Sequence, residues 1–166
     1  AGFSNGASTA FRIGAELPSK VAAIAPNAGA CWTENLRLTH GVSLCYITGA
    51  ADTLNPLEGG FPKLAIGGKE QGGRKKPPVQ ETIDKWVKAL NCEEKPDRDT
   101  TTNGVRVQRY GKGRDGAEVE FTTVESLGHH WAGGSGQAPD FLVGKNTKNL
   151  NATDVVWEFF SSHPKR

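Results

Sequence analysis

Three side-chain types that together perform acyl transfer occur in this chain in one order: Ser4, then Asp52, then His129. A serine hydroxyl is a poor nucleophile at neutral pH. It needs a base to take its proton, and the base needs a carboxylate to hold it in one tautomer. Ser4 stands in Gly2-Phe3-Ser4-Asn5-Gly6, the G-x-S-x-G pattern of a nucleophile elbow, where a serine on a strained strand-to-helix turn exposes its hydroxyl. The two glycines are expected because side chains there would collide with the neighbouring strand and helix. With 21 glycines in the chain, that pattern alone is a weak signal, and its partners decide its worth. An aspartate in a Gly-Ala-rich loop is by itself most often a turn residue. A His-His pair beside Trp131 is most often packing, and by residue type His130 is as good a base as His129. The joint occurrence, in order, is what raises the triad above those readings.

Such residues need elements that bring them together. Residues 7–17 place apolar side chains at helical spacing before Pro18, with small residues in the first turns where a helix must approach a sheet closely. Residues 21–25 read as a short buried strand ending at Pro26, and 42–47 as a second buried strand closed by Gly49. The segment 54–77, rich in Gly, Pro and Lys, reads as mostly loop. Residues 78–90 predict a helix with proline in its first turn and Val79, Ile83, Trp86, Val87 and Leu90 on one face. Residues 105–110 and 117–124 alternate as strands, with Asp115-Gly116 as the hairpin turn between them. Residues 151–160 predict an amphipathic helix whose start, Asn151-Ala152-Thr153, reads as a cap more strongly than as a glycosylation sequon. This is α/β organisation. Asp52 follows the strand 42–47 and His129 follows the strand 117–124, so both fall where open α/β sheets place their chemistry.

Composition excludes several other classes. A chain of 166 residues with 36% hydrophobic and 23% charged residues is nominally one globular domain with generous loops. The net charge of +2 makes no strong electrostatic demand. The one basic run, Gly73-Arg74-Lys75-Lys76, lacks interleaved aromatics and reads as a solvated loop rather than a nucleic-acid contact. No apolar run approaches the roughly 18 residues of a membrane span. Cys31, Cys45 and Cys92 lack C-x-x-C spacing, which argues against structural zinc. They are either buried thiols or one disulfide plus an orphan.

Four segments together carry a resemblance: residues 2–7, residues 49–60, Gly128-His129-His130-Trp131-Ala132-Gly133-Gly134, and Trp157-Glu158-Phe159-Phe160. They resemble the polyhydroxybutyrate depolymerase and feruloyl esterase group of α/β-hydrolases, and the likeness runs from residue 1 to about 164. It implies a secreted, extracellular serine esterase with a triad of Ser4, Asp52 and His129. In that group the catalytic histidine follows a glycine and precedes the tryptophan by two, which selects His129 over His130. The backbone N–H of Asn5 is the implied oxyanion donor. Trp131 is expected either to line a substrate pocket or to pack the loop. The resemblance implies no metal or organic cofactor, no nucleic-acid partner and no membrane. The implied substrate is an ester, of a polyester or of a feruloylated or acetylated polysaccharide.

The departures carry expectations of their own. His130 and Ala132 stand where the group usually has threonine and proline, and Thr48-Gly49 replaces a His-Gly pair. Many relatives bond the cysteine matching Cys92 to one that residues 111–114 lack, so Cys92 is expected to be a free thiol. The group's early strands, the strand feeding the elbow and the loop giving the second oxyanion N–H have no counterpart here. The expected fold is therefore the C-terminal part of an α/β-hydrolase: a mostly parallel sheet with flanking helices, N-terminal strands absent, and residues 1–166 as a single partial catalytic domain. A rival expectation follows from the same absence: a non-catalytic fragment or binding module that retains triad residues without a complete oxyanion hole.

Overall fold

A computed structural model describes residues 1–68, 70, 72–135 and 138–165. Lys69 and Gln71 of the expected 54–77 loop, and Gly136, Gln137 and Arg166 of the expected domain, lie outside the described residues.

Seven strands among the described residues form one mixed, mostly parallel sheet with helices on its faces, an α/β architecture. The elements in chain order are β1 (Gly2–Phe3), α1 (Asn5–Glu16), β2 (Ala23–Ile24), β3 (Pro26–Asn27), β4 (Ser43–Gly49), α2 (Val79–Leu90), β5 (Arg98–Thr102), β6 (Val105–Tyr110), β7 (Val119–Val124), α3 (Asp140–Val143) and α4 (Ala152–Ser162). The sheet order is β1-β3-β4-β7-β6-β5, with β2 also on β4. Pairings from β1 through β7 are parallel, and β7-β6-β5 is an antiparallel meander.

The sheet is built around β4, all seven residues of which are buried. Alternation along a strand sends successive side chains to opposite faces. Leu44 and Tyr46 join the cluster of Phe11, Ile83, Trp86 and Leu90 beneath α1 and α2. Cys45 and Ile47 join Leu127, Ala152, Val156 and Phe159 beneath α4. A strand buried on both faces must read as a continuous apolar run, which is how 42–47 reads. The small residues of α1 matter for the same packing: a Cβ on Gly14 would stand 2.9 Å from Ile24 Cδ1 and 3.0 Å from Trp86 Cη2. No helix among the described residues is long and apolar enough to cross a membrane.

Four local expectations are corrected. The strand expected to end at Pro26 continues through it as β2 and β3, in one register with β4 (Ile24↔Leu44, Asn27↔Ile47). Proline has no N–H to give the ladder, so the strand is interrupted rather than stopped. Asp115 and Gly116 are not a two-residue hairpin turn. They lie in a longer β6–β7 connection, within a 3₁₀ turn (Arg114–Gly116) at φ 54° and 75°. The two-residue turn is Asn103-Gly104, at φ 50° and 72°, and it joins β6 to β5, a strand not expected. Finally, Lys76 of the basic run is partly buried, whereas residues 73–75 are exposed as expected of a solvated loop.

Candidate active site

The chain passes from β1 to α1 through a single residue, Ser4, at φ 55° and ψ −117°. That backbone region disfavours a side chain by about 1–3 kcal/mol and is held by its surroundings. Gly2 N–H donates to Ala25 O at 3.1 Å and Ser4 N–H to Asn27 O at 2.9 Å, while Ser4 O accepts from Ala7 N–H at 3.0 Å. The turn is so tight that a Cβ on Gly2 would stand 2.1 Å from Gly6 O. Gly6 differs from expectation: a Cβ there would meet nothing within 4 Å among the described residues. Ser4 occupies the N-cap of α1, yet its side chain makes no capping bond. Its hydroxyl lies 2.9 Å from His129 Nε2.

Asp52 sits just past the end of β4, 2% exposed. Its Oδ1 accepts from Leu54 N–H at 2.9 Å and Asn55 N–H at 2.8 Å, a turn that the aspartate builds around its own carboxylate. Its Oδ2 lies 2.8 Å from His129 Nδ1. An ionised carboxylate only accepts, so Nδ1 carries the proton and Nε2 is left as an acceptor for the Ser4 hydroxyl. The backbone holds His129 in place by its N–H to Val143 O at 2.7 Å, and Phe3 lies against its ring at 4.9 Å between centroids. The acid and base loops meet closely: a Cβ on Gly49 would stand 1.9 Å from Leu127 O, and one on Gly128 2.4 Å from Val143 O.

His130 points elsewhere. Its Nε2 donates to Gly144 O at 2.7 Å and lies 3.4 Å from Asp140 Oδ1, tying the base loop to α3. Asn5 is the first residue of α1, beside Ser4 at the electropositive end of the helix. Trp131 is half-buried, and its indole N–H donates to Thr153 Oγ1 at 3.0 Å on the first turn of α4. A groove of about 660 Å³ runs along α1 from Ser8 to Glu16, lined also by Trp32, with the Arg74 guanidinium 4.7 Å above the Trp32 ring. All three cysteines are free and buried. Among the described residues no group of three or more His, Cys, Asp or Glu side chains is arranged to hold a metal ion.

The structure thus brings Ser4, Asp52 and His129 together, with Asn5 beside them. Several neighbours carried no sequence signal for this place. Gly29 backs the elbow, since a Cβ there would stand 2.3 Å from Ser4 O. Tyr46 reads from the sequence as an apolar strand residue, Asn55 as part of a loop, and Phe3 as the variable position of the elbow pattern. Compared with known proteins, the chain matches no family model and no curated sequence.

Proposed function

We propose that this chain is a serine esterase of the α/β-hydrolase fold. The observation that carries the reading is the unbroken chain from Ser4 Oγ through the His129 ring to the buried Asp52 carboxylate, at 2.9 and 2.8 Å. A serine at a helix N-cap ordinarily caps its helix. Ser4 instead offers its hydroxyl to a base.

In the reaction Ser4 Oγ attacks the ester carbonyl as His129 Nε2 takes its proton, and Asp52 stabilises the imidazolium. The Asn5 N–H donates to the oxyanion, and one such donor is typically worth about 10²–10³ in rate. His129 then protonates the departing alcohol, leaving an acyl group on Ser4. Water attacks this acyl-enzyme, gives its proton to His129, and releases the acid while Ser4 recovers its own proton. The substrates we propose are a hydroxyalkanoate polyester or a feruloylated or acetylated polysaccharide, met outside the cell.

The test is intact-mass measurement after treatment with a fluorophosphonate. One adduct on the parent chain, absent from Ser4→Ala, is the expected result. A folded chain that takes up no adduct would overturn the reading in favour of a non-catalytic protein that retains the three residues. Release of ferulate from a feruloylated sugar, against 3-hydroxybutyrate from the polymer, separates the two substrate classes.

A further inference from the structure

Asp52 is braced from behind. Asn55 is 2% exposed and, besides its backbone bond to Asp52, is gripped at both ends of its side-chain amide. Lys76 Nζ donates to Asn55 Oδ1 at 3.2 Å, and Asn55 Nδ2 donates to the Tyr46 hydroxyl oxygen at 2.9 Å. Tyr46 in turn donates to Gly29 O at 2.8 Å. These three bonds have one possible direction, and it is the same read from either end. An ammonium has donors only, so it draws the oxygen of Asn55 toward itself and turns the NH₂ toward Tyr46. At the other end Gly29 O can only accept, so Tyr46 gives its proton there and accepts from Asn55.

The chain of bonds starts in the segment 60–76, touches the acid loop at Asn55 and ends at the glycine backing the nucleophile. Burial pulls the Lys76 ammonium below its ordinary pKa, an effect partly offset by the Asp52 charge. Tyr46, fully enclosed, has its hydroxyl pushed up by burial and keeps its proton to donate. Bonds enclosed in this way reinforce one another, and a group left unmatched among them is costly.

We infer that Lys76 is a positioning residue: as a donor to Asn55 Oδ1 it pins the amide that links the Asp52 loop to Tyr46 and Gly29, and so holds that loop and the wall behind Ser4 in one arrangement. Its kinetic consequence rests on the esterase reading, while its geometric consequence does not. Two readouts on the full chain therefore go together: the far-downfield proton shared by His129 Nδ1 and Asp52, seen by proton NMR, and the rate of Ser4 phosphonylation. Lys76→Met should broaden or displace that resonance and slow phosphonylation about tenfold, the scale of a sub-ångström misplacement of reacting groups. Lys76→Cys alkylated with 2-bromoethylamine rebuilds an ammonium and should restore both. An unchanged resonance and rate in Lys76→Met would overturn the inference, as would failure of the rebuilt ammonium to restore them. If Lys76→Met does not fold, Tyr46→Phe cuts the same chain at its last link and is read in the same way. A parent chain that shows the resonance but takes up no phosphonate would sink the esterase reading alone. The inference would then be judged on the resonance, and a parent without the resonance sinks both.

Discussion

Ser4 stands at the head of a helix that it does not cap, in a backbone conformation suited to glycine. Both features oppose folding and both serve the hydroxyl, which they aim at His129 rather than at the amides of α1. Two substitutions separate the backbone part. Ser4→Ala removes the hydroxyl and keeps the side-chain carbon that the φ of 55° disfavours, while Ser4→Gly removes that too. Urea unfolding should find Ser4→Gly the more stable of the two by about 1 kcal/mol, with glycine's larger unfolded-state entropy already set against the relieved strain. A less stable Ser4→Gly would mean that the elbow stores no backbone strain. The hydroxyl and the carboxylate were legible in the sequence because residue type and order carry them, whereas the choice of the His129 imidazole over that of His130 came from the resemblance. Lys76 and Tyr46 were not legible, because their place at the site is a matter of distance in space, and in sequence they look like a solvated loop and an apolar strand.

The elements divide in the same way. α2 and α4 were legible because their burial is periodic and strong, and β4 because it is buried throughout and reads as an unbroken apolar run. β5 was not: Arg98–Thr102 is exposed throughout and has no apolar alternation to betray it. It is an edge strand guarded by charge, with Arg106 paired to Asp99 at 2.7 Å, and its one clear signal was the Asn103-Gly104 turn. α3 is four residues long, too short for any period. β7 holds a less comfortable charge. Glu120 is drawn above the usual carboxylate range first by burial and then by Glu118, against the opposing pull of Arg98, His163 and Arg109. Between the unfolded and folded values the native state binds more protons than the unfolded chain, so stability falls as pH rises through that window and stays lower above it. Glu120→Gln should therefore match the parent in acid and exceed it in urea midpoint at pH 7. An equal difference at both pH values would show that the charge itself is not what costs stability.

The whole molecule is a sheet clad on both faces, and its thiols report each face separately. Burial pushes the Cys92 thiol, on the side of α1 and α2, up to about 11, and raises that of Cys45, under α4, further still. Reactivity belongs to the thiolate. Ellman's reagent at pH 8 should find none of the three buried thiols in the native protein and all three in denaturant. Early reaction of Cys45 alone would mean that α4 opens independently of the other face. The spacing of the triad has a further consequence, in time rather than in space. The bonds His129 makes to Asp52 and Ser4 close separations of 77 and 125 residues, whereas the β5–β6–β7 meander is joined by short local connections. Distant closures come late, because their entropy must be met before their contacts form. A chain leaving the unfolded state would assemble its meander first and the contacts among Ser4, His129 and Asp52 last, so that on the esterase reading proposed above reactivity at Ser4 marks the end of folding.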